Sequence, residues 1–365
     1  MKILAIGPLP PPLHGQSFAD RMAFDSLSRT DDVTVIDTTI ERGFAGNRLP
    51  PIWSPKRIAR IVSILWRDAP KMWRRYDVDY MSVGVSFRTL MRFAPYMTAA
   101  LVKGEPYVLH THSAMLYDNF VASSPVKRSI MAFFLRRAAR VIVLGDRIAR
   151  ATAHIVPPSH ISVCANGVDD SLFVDSISEP SADGTVRVLF LSNLMEDKGI
   201  FELFEAFRLS EEGYTLALAG AVESEAVRKE LDRLMSEYPG RVRYEGVVTG
   251  EAKRRLLAES DVLVLPSRNE GQGIAILEAY ASGCAVVTDP SVGGIGDVFR
   301  DGVNGVACDH RDPRSIAVAI RNAAIRAAFF AGNNLKEAVK YSSGAFAARI
   351  KNILEESLRS GSRLY

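Results

Sequence analysis

The chain is poor in cysteine: three in 365 residues, far apart at Cys164, Cys284 and Cys308. An odd, scattered set argues against a disulfide framework, forms no metal-ligand pattern and fits a reducing compartment. Histidine is nearly as sparse. Six residues are spread so thinly that the pair His110 and His112 finds no third ligand nearby in sequence. No apolar run reaches the roughly 18 residues needed to span a membrane. The opening stretch MKILAIGPLPPP is too short in apolar residues for a secretory signal and reads as a first strand. These absences lead to the expectation of a cytoplasmic protein. Helical or solenoid repeats are absent too.

What is present is a globular composition, 47% hydrophobic and 24% charged, with length enough for two ordinary domains. The net charge of +3 hides an asymmetry. Residues 1–174 hold 22 Lys/Arg against 14 Asp/Glu, and residues 175–365 hold 23 against 28. A basic half can face nucleic acid, anionic lipid or a phosphorylated acceptor. Nucleic acid is set aside because the basic stretches contain no recognisable nucleic-acid module.

Strand-like runs at 2–6, 33–37, 79–83, 107–111, 140–144 and 161–164 alternate with helical patterns near 17–28, 55–74, 88–102 and 124–138. A polar stretch, 175–185, reads as a linker. A fresh alternation follows: strands at 186–191, 214–219, 242–246, 261–265, 285–288 and 305–307, helices between them, then helices from 313 onward. This is the pattern of two doubly wound α/β domains, 1–174 and 186–344, with an amphipathic segment 345–359 within the tail 345–365.

The most informative stretch is Leu265 to Thr288, LPSRNEGQGIAILEAYASGCAVVT. A strand runs into a Gly-rich turn and then a helix N-terminus, an arrangement that aims backbone N–H groups and a positive dipole end at one spot. Glu270 in the turn and Glu278 on the helix are poor phosphate ligands but good acceptors for sugar or ribose hydroxyls. The string P-S-x-x-E-G-x-G-x-x-x-L-E-A-x-A-x-G-x-x-V-V-x-T resembles the signature of family-4 retaining glycosyltransferases. Other matches are PPxxHGxS at 10–17, His-x-His at 110–112, Asn166-Gly167-Val168-Asp169 with Phe173, and Lys198-Gly199.

The resemblance implies the GT-B fold, two Rossmann-like domains facing each other across a cleft, with the last helix returning to the first domain. It implies transfer of a sugar from a nucleotide diphosphate sugar to an acceptor hydroxyl, in polysaccharide or glycolipid assembly. Glu278 would hold the ribose and Glu270 the donor sugar. Lys198, Gly15 and the backbone of Gly271, Gly273 and Ile274 would hold the diphosphate. His112, or less favourably His110, would orient the transferring sugar. The 246–250 loop would cup the base. Attack would come from the front face, a diphosphate oxygen taking the acceptor's proton, with Glu270 as a covalent nucleophile the alternative. The family usually has Gly-Arg where this chain has Ser192-Asn193, so Asn193 faces the phosphates without a charge.

No cofactor beyond the donor is expected, and no metal, because lysine and the helix dipole supply the positive charge. Asp77-Val78-Asp79 matches the metal motif of a different glycosyltransferase architecture and reads here as a solvated turn. Gly167 reads as a φ > 0 position. The helix near 55–75 mixes seven Lys/Arg with Ile58, Ile61, Val62, Leu65 and Trp66. It is either a solvated face packed on the sheet or a patch for an anionic membrane carrying a lipid-linked acceptor. A saccharide acceptor is the other partner class, and the inner face of the membrane the corresponding location. Two rivals stand beside the transferase: a sugar-nucleotide epimerase of the same architecture, and a binding protein that has lost catalysis.

Overall fold

The computed structural model describes residues 1–11, 15–40, 55–174, 176–177, 181, 183–210 and 213–361. His14 and parts of the expected linker (175, 178–180, 182) lie outside them. The chain divides into two compact units, Met1–Gly167 with Ser343–Tyr365, and Val168–Ser342. The expected boundaries at 174 and 344 differ from this division by a few residues at each crossing.

In the first unit the strands are β1 (Lys2–Gly7), β2 (Asp32–Asp37), β3 (Val78–Val83), β4 (Tyr107–Thr111), β5 (Arg140–Val143) and β6 (Ile161–Val163). All pair in parallel, in the order β2-β1-β3-β4-β5-β6. The helices are α1 (Gly15–Leu27), α2 (Pro55–Met72), α3 (Phe87–Met91), α4 (Ala94–Lys103), α5 (Leu116–Val121), α6 (Pro125–Arg137) and α7 (Asp146–Thr152).

The strands read as continuous apolar runs because both faces of the sheet are covered. Alternate residues serve opposite cores: Leu4, Ile6, Met81 and Leu109 pack in one, Ile3, Ala5, Tyr80 and Val108 in the other. The single helix expected over 88–102 is two, broken at Arg92-Phe93, with Pro95 in the first turn of the second. Asp79 is not in a solvated turn. It lies inside β3 and is buried, while Asp77 stays exposed and accepts the Lys2 N–H at 2.7 Å.

The second unit contains β7 (Val186–Leu191), α8 (Ile200–Arg208), β8 (Tyr214–Ala219), α9 (Glu225–Glu237), β9 (Val242–Gly246), α10 (Gly250–Ala258) and β10 (Val262–Leu265). It continues through α11 (Ile274–Ala281), β11 (Ala285–Thr288), β12 (Gly305–Ala307), α12 (Pro313–Ile325) and α13 (Ala327–Ala338). The sheet order is β12-β11-β10-β7-β8-β9, again parallel. The chain winds outward from β7 to β9 on one side and from β10 to β12 on the other, so the order reverses between β7 and β10. Open α/β sheets bind ligands outside the carboxyl ends of the strands at such a reversal.

The last helix, α14 (Ser343–Gly361), belongs to the first unit. Phe346, Ile350, Ile353 and Leu354 form a helical stripe buried against α1 and β3. Lys351 reaches Asp31 at 3.0 Å. No single helix among the described residues is long and apolar enough to cross a membrane.

Candidate functional site

The second unit's site is built at the reversal of its sheet. The segment after β7 carries Lys198 and the segment after β10 carries Glu270. Gly199 brings them together. It has φ +71°, and a Cβ there would lie 2.0 Å from the Pro266 carbonyl oxygen, so only glycine lets the turn sit against the end of β10. Arg268 N–H also donates to the Asp197 carbonyl at 2.8 Å. Fixed in this way, the Lys198 ammonium donates to Glu270 Oε1 at 2.6 Å and to the Asn269 carbonyl at 3.1 Å. Ser267 Oγ donates to the same Glu270 oxygen at 3.1 Å.

One helical turn further on, Glu278 is almost fully buried. Its Oε1 accepts from Lys253 of α10 at 2.5 Å. Among the described residues none donates to Oε2 of either glutamate. Each lysine thus fixes one carboxylate oxygen and leaves the other as an acceptor for a ligand hydroxyl. Gly273, at φ 75° and ψ 76°, is the left-handed N-cap of α11, where a side chain would be strained. The Gly271 carbonyl accepts from Gly294 N–H at 3.0 Å, tying the turn to the loop after β11. Ile274 opens α11.

Lys253 was invisible to motif reading: α10 is GEAKRRLLA, and nothing in that string says which cation turns inward. Asn193 follows β7 without a charge, and its Oδ1 accepts from Ala221 N–H at 3.4 Å. Arg268, the guanidinium in the turn itself, pairs with Glu196 at 2.8 Å and with Glu202. Asp289, Asp309 and His310 bring carboxylate and imidazole atoms within 4.8 Å of one another. There Asp289 already accepts from His310 Nδ1 at 2.7 Å and from Ser291 Oγ at 2.6 Å, so the cluster is hydrogen-bonded in its own right.

In the first unit, His110 and His112 follow one another at the end of β4, with ring centroids 4.1 Å apart. His110, within the strand, is fully buried and hydrogen-bonded through Nδ1 to the Tyr80 hydroxyl at 2.6 Å. Burial, with the His112 ring adding to it, holds His110 well below the usual imidazole range, so it stays neutral. His112 lies just past the strand. Asn166 Oδ1 accepts from its Nδ1 at 3.1 Å, and Asp20 Oδ1 lies 3.4 Å from its Nε2.

Asp20 is wholly buried on α1, close under Gly7, where an added Cβ would approach its Oδ2 to 2.9 Å. Sequence reasoning missed Asp20, since a lone Asp in FADRMAF gives no sign of facing inward. Gly167 does not have positive φ; it is needed for space. A Cβ there would come within 2.6 Å of Met22 Sδ and 2.8 Å of Phe346 Cβ. Gly15 is the exposed first residue of α1, and Gln16 beside it donates to Ser82 Oγ at 3.0 Å.

Two family models match the chain: Glycosyltransferase Family 4 over residues 25–172 and Glycosyl transferases group 1 over residues 185–324. A glycogen synthase of Mycobacterium tuberculosis is 30% identical over 224 residues, 59% of this chain and 53% of that protein. An uncharacterized glycosyltransferase of Methanocaldococcus jannaschii is 31% identical over 268 residues, 67% of this chain and 65% of that one. The matched regions thus span about half to two thirds of these relatives' lengths.

Among solved structures, Anabaena HepE in complex with UDP and glucose superimposes with a TM-score of 0.74 at 19% identity, covering 98% of this chain and 100% of that one. Sucrose-phosphate synthase from Thermosynechococcus elongatus gives 0.76 at 16% identity, covering 99% and 100%. The two structural likenesses place the chain in the GT-B fold. With the two family models they lead to one conclusion: the chain belongs to the group 1, family 4 glycosyltransferases.

Proposed function

We propose that the protein is a retaining, metal-independent glycosyltransferase that moves a sugar from a nucleotide diphosphate sugar to an acceptor hydroxyl. The observation that carries this reading is the pair of glutamates, each gripped by a lysine on Oε1 with Oε2 left to accept. Glu278, deep in the unit, takes a ribose hydroxyl. Glu270, nearer the surface, takes a hydroxyl of the donor sugar. Lys198 faces the diphosphate with the backbone of Gly271, Gly273 and Ile274, while Asn193 and Gly15 add uncharged contacts. His112, oriented by Asn166 and Asp20, meets the transferring sugar.

As the glycosidic bond breaks, negative charge develops on the diphosphate oxygen, and a preorganised ammonium there lowers the barrier. The released oxygen takes the acceptor's proton on the face it leaves, so configuration is retained without a separate base. No cofactor enters this scheme; positive charge comes from lysine and the α11 N-terminus. The test is a panel of sugar nucleotides read by thermal shift, then transfer in excess EDTA with the product anomer read by NMR. A ligand at 100 times its Kd stabilises by roughly 2.7 kcal/mol, which such a screen resolves. Donor and product of the same anomeric configuration are expected, with EDTA without effect. Inversion, or activity restored only by Mn²⁺ or Mg²⁺, would refute the scheme.

The acceptor is proposed to be lipid-linked and met at an anionic membrane surface. Support comes from α2 and the residues after it, where Trp66 is 78% exposed and Trp73 55%, with Ile58 and Val62 also exposed. Lys56 and Arg74 are exposed beside them. Two of the basic residues are also tied to the rest of the unit: Arg67, though exposed, bonds Asp68 and the Asp37 carbonyl, and Lys71 donates to the Val35 carbonyl at 3.1 Å. The side chain of Arg57 lies outside the described residues. Sedimentation with anionic vesicles is expected, weakening with salt and falling in Trp66→Ala. Equal, negligible binding to anionic and neutral vesicles would leave a soluble saccharide acceptor.

A further inference from the structure

The pair between Lys253 and Glu278 is costly to bury. Its side chains are only 15% and 6% exposed, and an ammonium and a carboxylate withdrawn from water regain little net stability from each other. Nearby Arg254 shows the ordinary arrangement for a helix cation, exposed and paired with Glu251 at 2.7 Å within the same helix. Lys253 instead crosses from α10 to α11 and holds a carboxylate whose second oxygen no described residue occupies.

We infer that Lys253 is a positioning residue for donor recognition. It holds Oε1 of Glu278 and so turns the carboxylate to leave Oε2 for one ribose hydroxyl, which makes the site selective for a ribonucleotide over its deoxy counterpart. This rests on the donor reading above. With Lys253 present, the ammonium fixes one oxygen of the carboxylate by a charge-assisted bond and leaves the other to accept from the ribose. Without it, the buried carboxylate loses that anchor, and its orientation toward the ribose is lost with it.

The experiment uses the full chain with UDP, GDP and ADP, and with the 2′-deoxy and 3′-deoxy forms of whichever binds best. Dissociation constants are measured for each ligand. The wild type should prefer the ribonucleotide over one deoxy form by about 10- to 100-fold, the range for a hydrogen bond to a charged group. Lys253→Met should lose most of that preference while binding the deoxy form as the wild type does. Lys253→Arg, which keeps a charged anchor on Glu278, should keep the preference.

Should Lys253→Met fail to fold, Lys253→Met with Glu278→Gln removes both charges together. That double variant should fold and bind like Glu278→Gln alone, since Lys253 acts through Glu278. Full ribose preference in Lys253→Met, or an additive loss in the double variant, would overturn the inference. A wild type that binds none of the three nucleotides would instead overturn the donor reading itself, and this inference with it.

Discussion

The second unit builds one chemical device twice, in two ways. Lys198 and Glu270 come from two loops, at the carboxyl ends of the adjacent strands β7 and β10, and are held by a glycine that lets two backbones touch. Lys253 and Glu278 come from two helices and are the more buried of the two pairs. The first pair sits where loops can adjust to chemistry, and its lysine also bonds the Asn269 carbonyl, so the ammonium can release Glu270 without losing every partner. The second is fixed by helix packing. Under the proposed function the difference separates two tasks: the loop pair acts where charge changes during reaction, and the helix pair grips what stays unchanged.

The largest effect should come from the loop pair. Lys198→Ala removes the cation that meets the leaving diphosphate and should lower kcat on the order of 10²–10³-fold with little change in donor affinity. Steady-state kinetics with donor varied decides this. Near-normal turnover would show that Lys253 or another cation carries the leaving group, and the division of labour would collapse.

A third buried lysine–carboxylate group offers a control, because it lies at the amino end of β3, away from the ligand-binding strand ends. There Asp79 and Glu105 face Lys103, with Arg75 reaching Glu105 at 3.8 Å. Burial raises the Asp79 carboxyl to about 7, against the lowering by Lys103 and with a further rise from Glu105. The folded state therefore binds this proton more tightly than the unfolded state does. Its favourable contribution is full at acid pH and is lost as pH rises from about 4 through about 7. Asp79→Asn should leave stability near pH 4 almost unchanged and raise it by up to a few kcal/mol above pH 7, without altering catalysis. Denaturant melts at the two pH values check it. A fall in donor turnover would show that this group is not merely structural.

How much of this was legible in the sequence depends on how local each feature is. Lys198, Glu270, Gly273 and Glu278 lie in short strings that match the family signature, and the resemblance implies their roles. The alternation of strands and helices was legible because each apolar run is separated by an amphipathic one, while the order of strands within each sheet was not. Lys253 and Asp20 were not legible, because their partners are 25 and 92 residues away in sequence and each sits among other charged or apolar helix residues. Gly167 was misjudged for a related reason: glycine permits positive φ and also permits crowding, and only the approach of Met22 and Phe346 distinguishes the two. Asp79 resembled a turn residue because a buried charge at the start of a strand is rare unless a lysine from another element, here Lys103, lies near it.

The most direct test of the account is the affinity of one sugar nucleotide and of its bare nucleoside diphosphate for the wild type, Glu270→Gln and Glu278→Gln, measured by calorimetry. Glu278→Gln should weaken both ligands by the same factor, about 10- to 100-fold, because the ribose is common to them. Glu270→Gln should leave the nucleoside diphosphate unchanged and reduce only the increment that the sugar adds. Equal loss of both ligands in Glu270→Gln, or no loss in either variant, would contradict the assignment of one glutamate to the sugar and the other to the ribose.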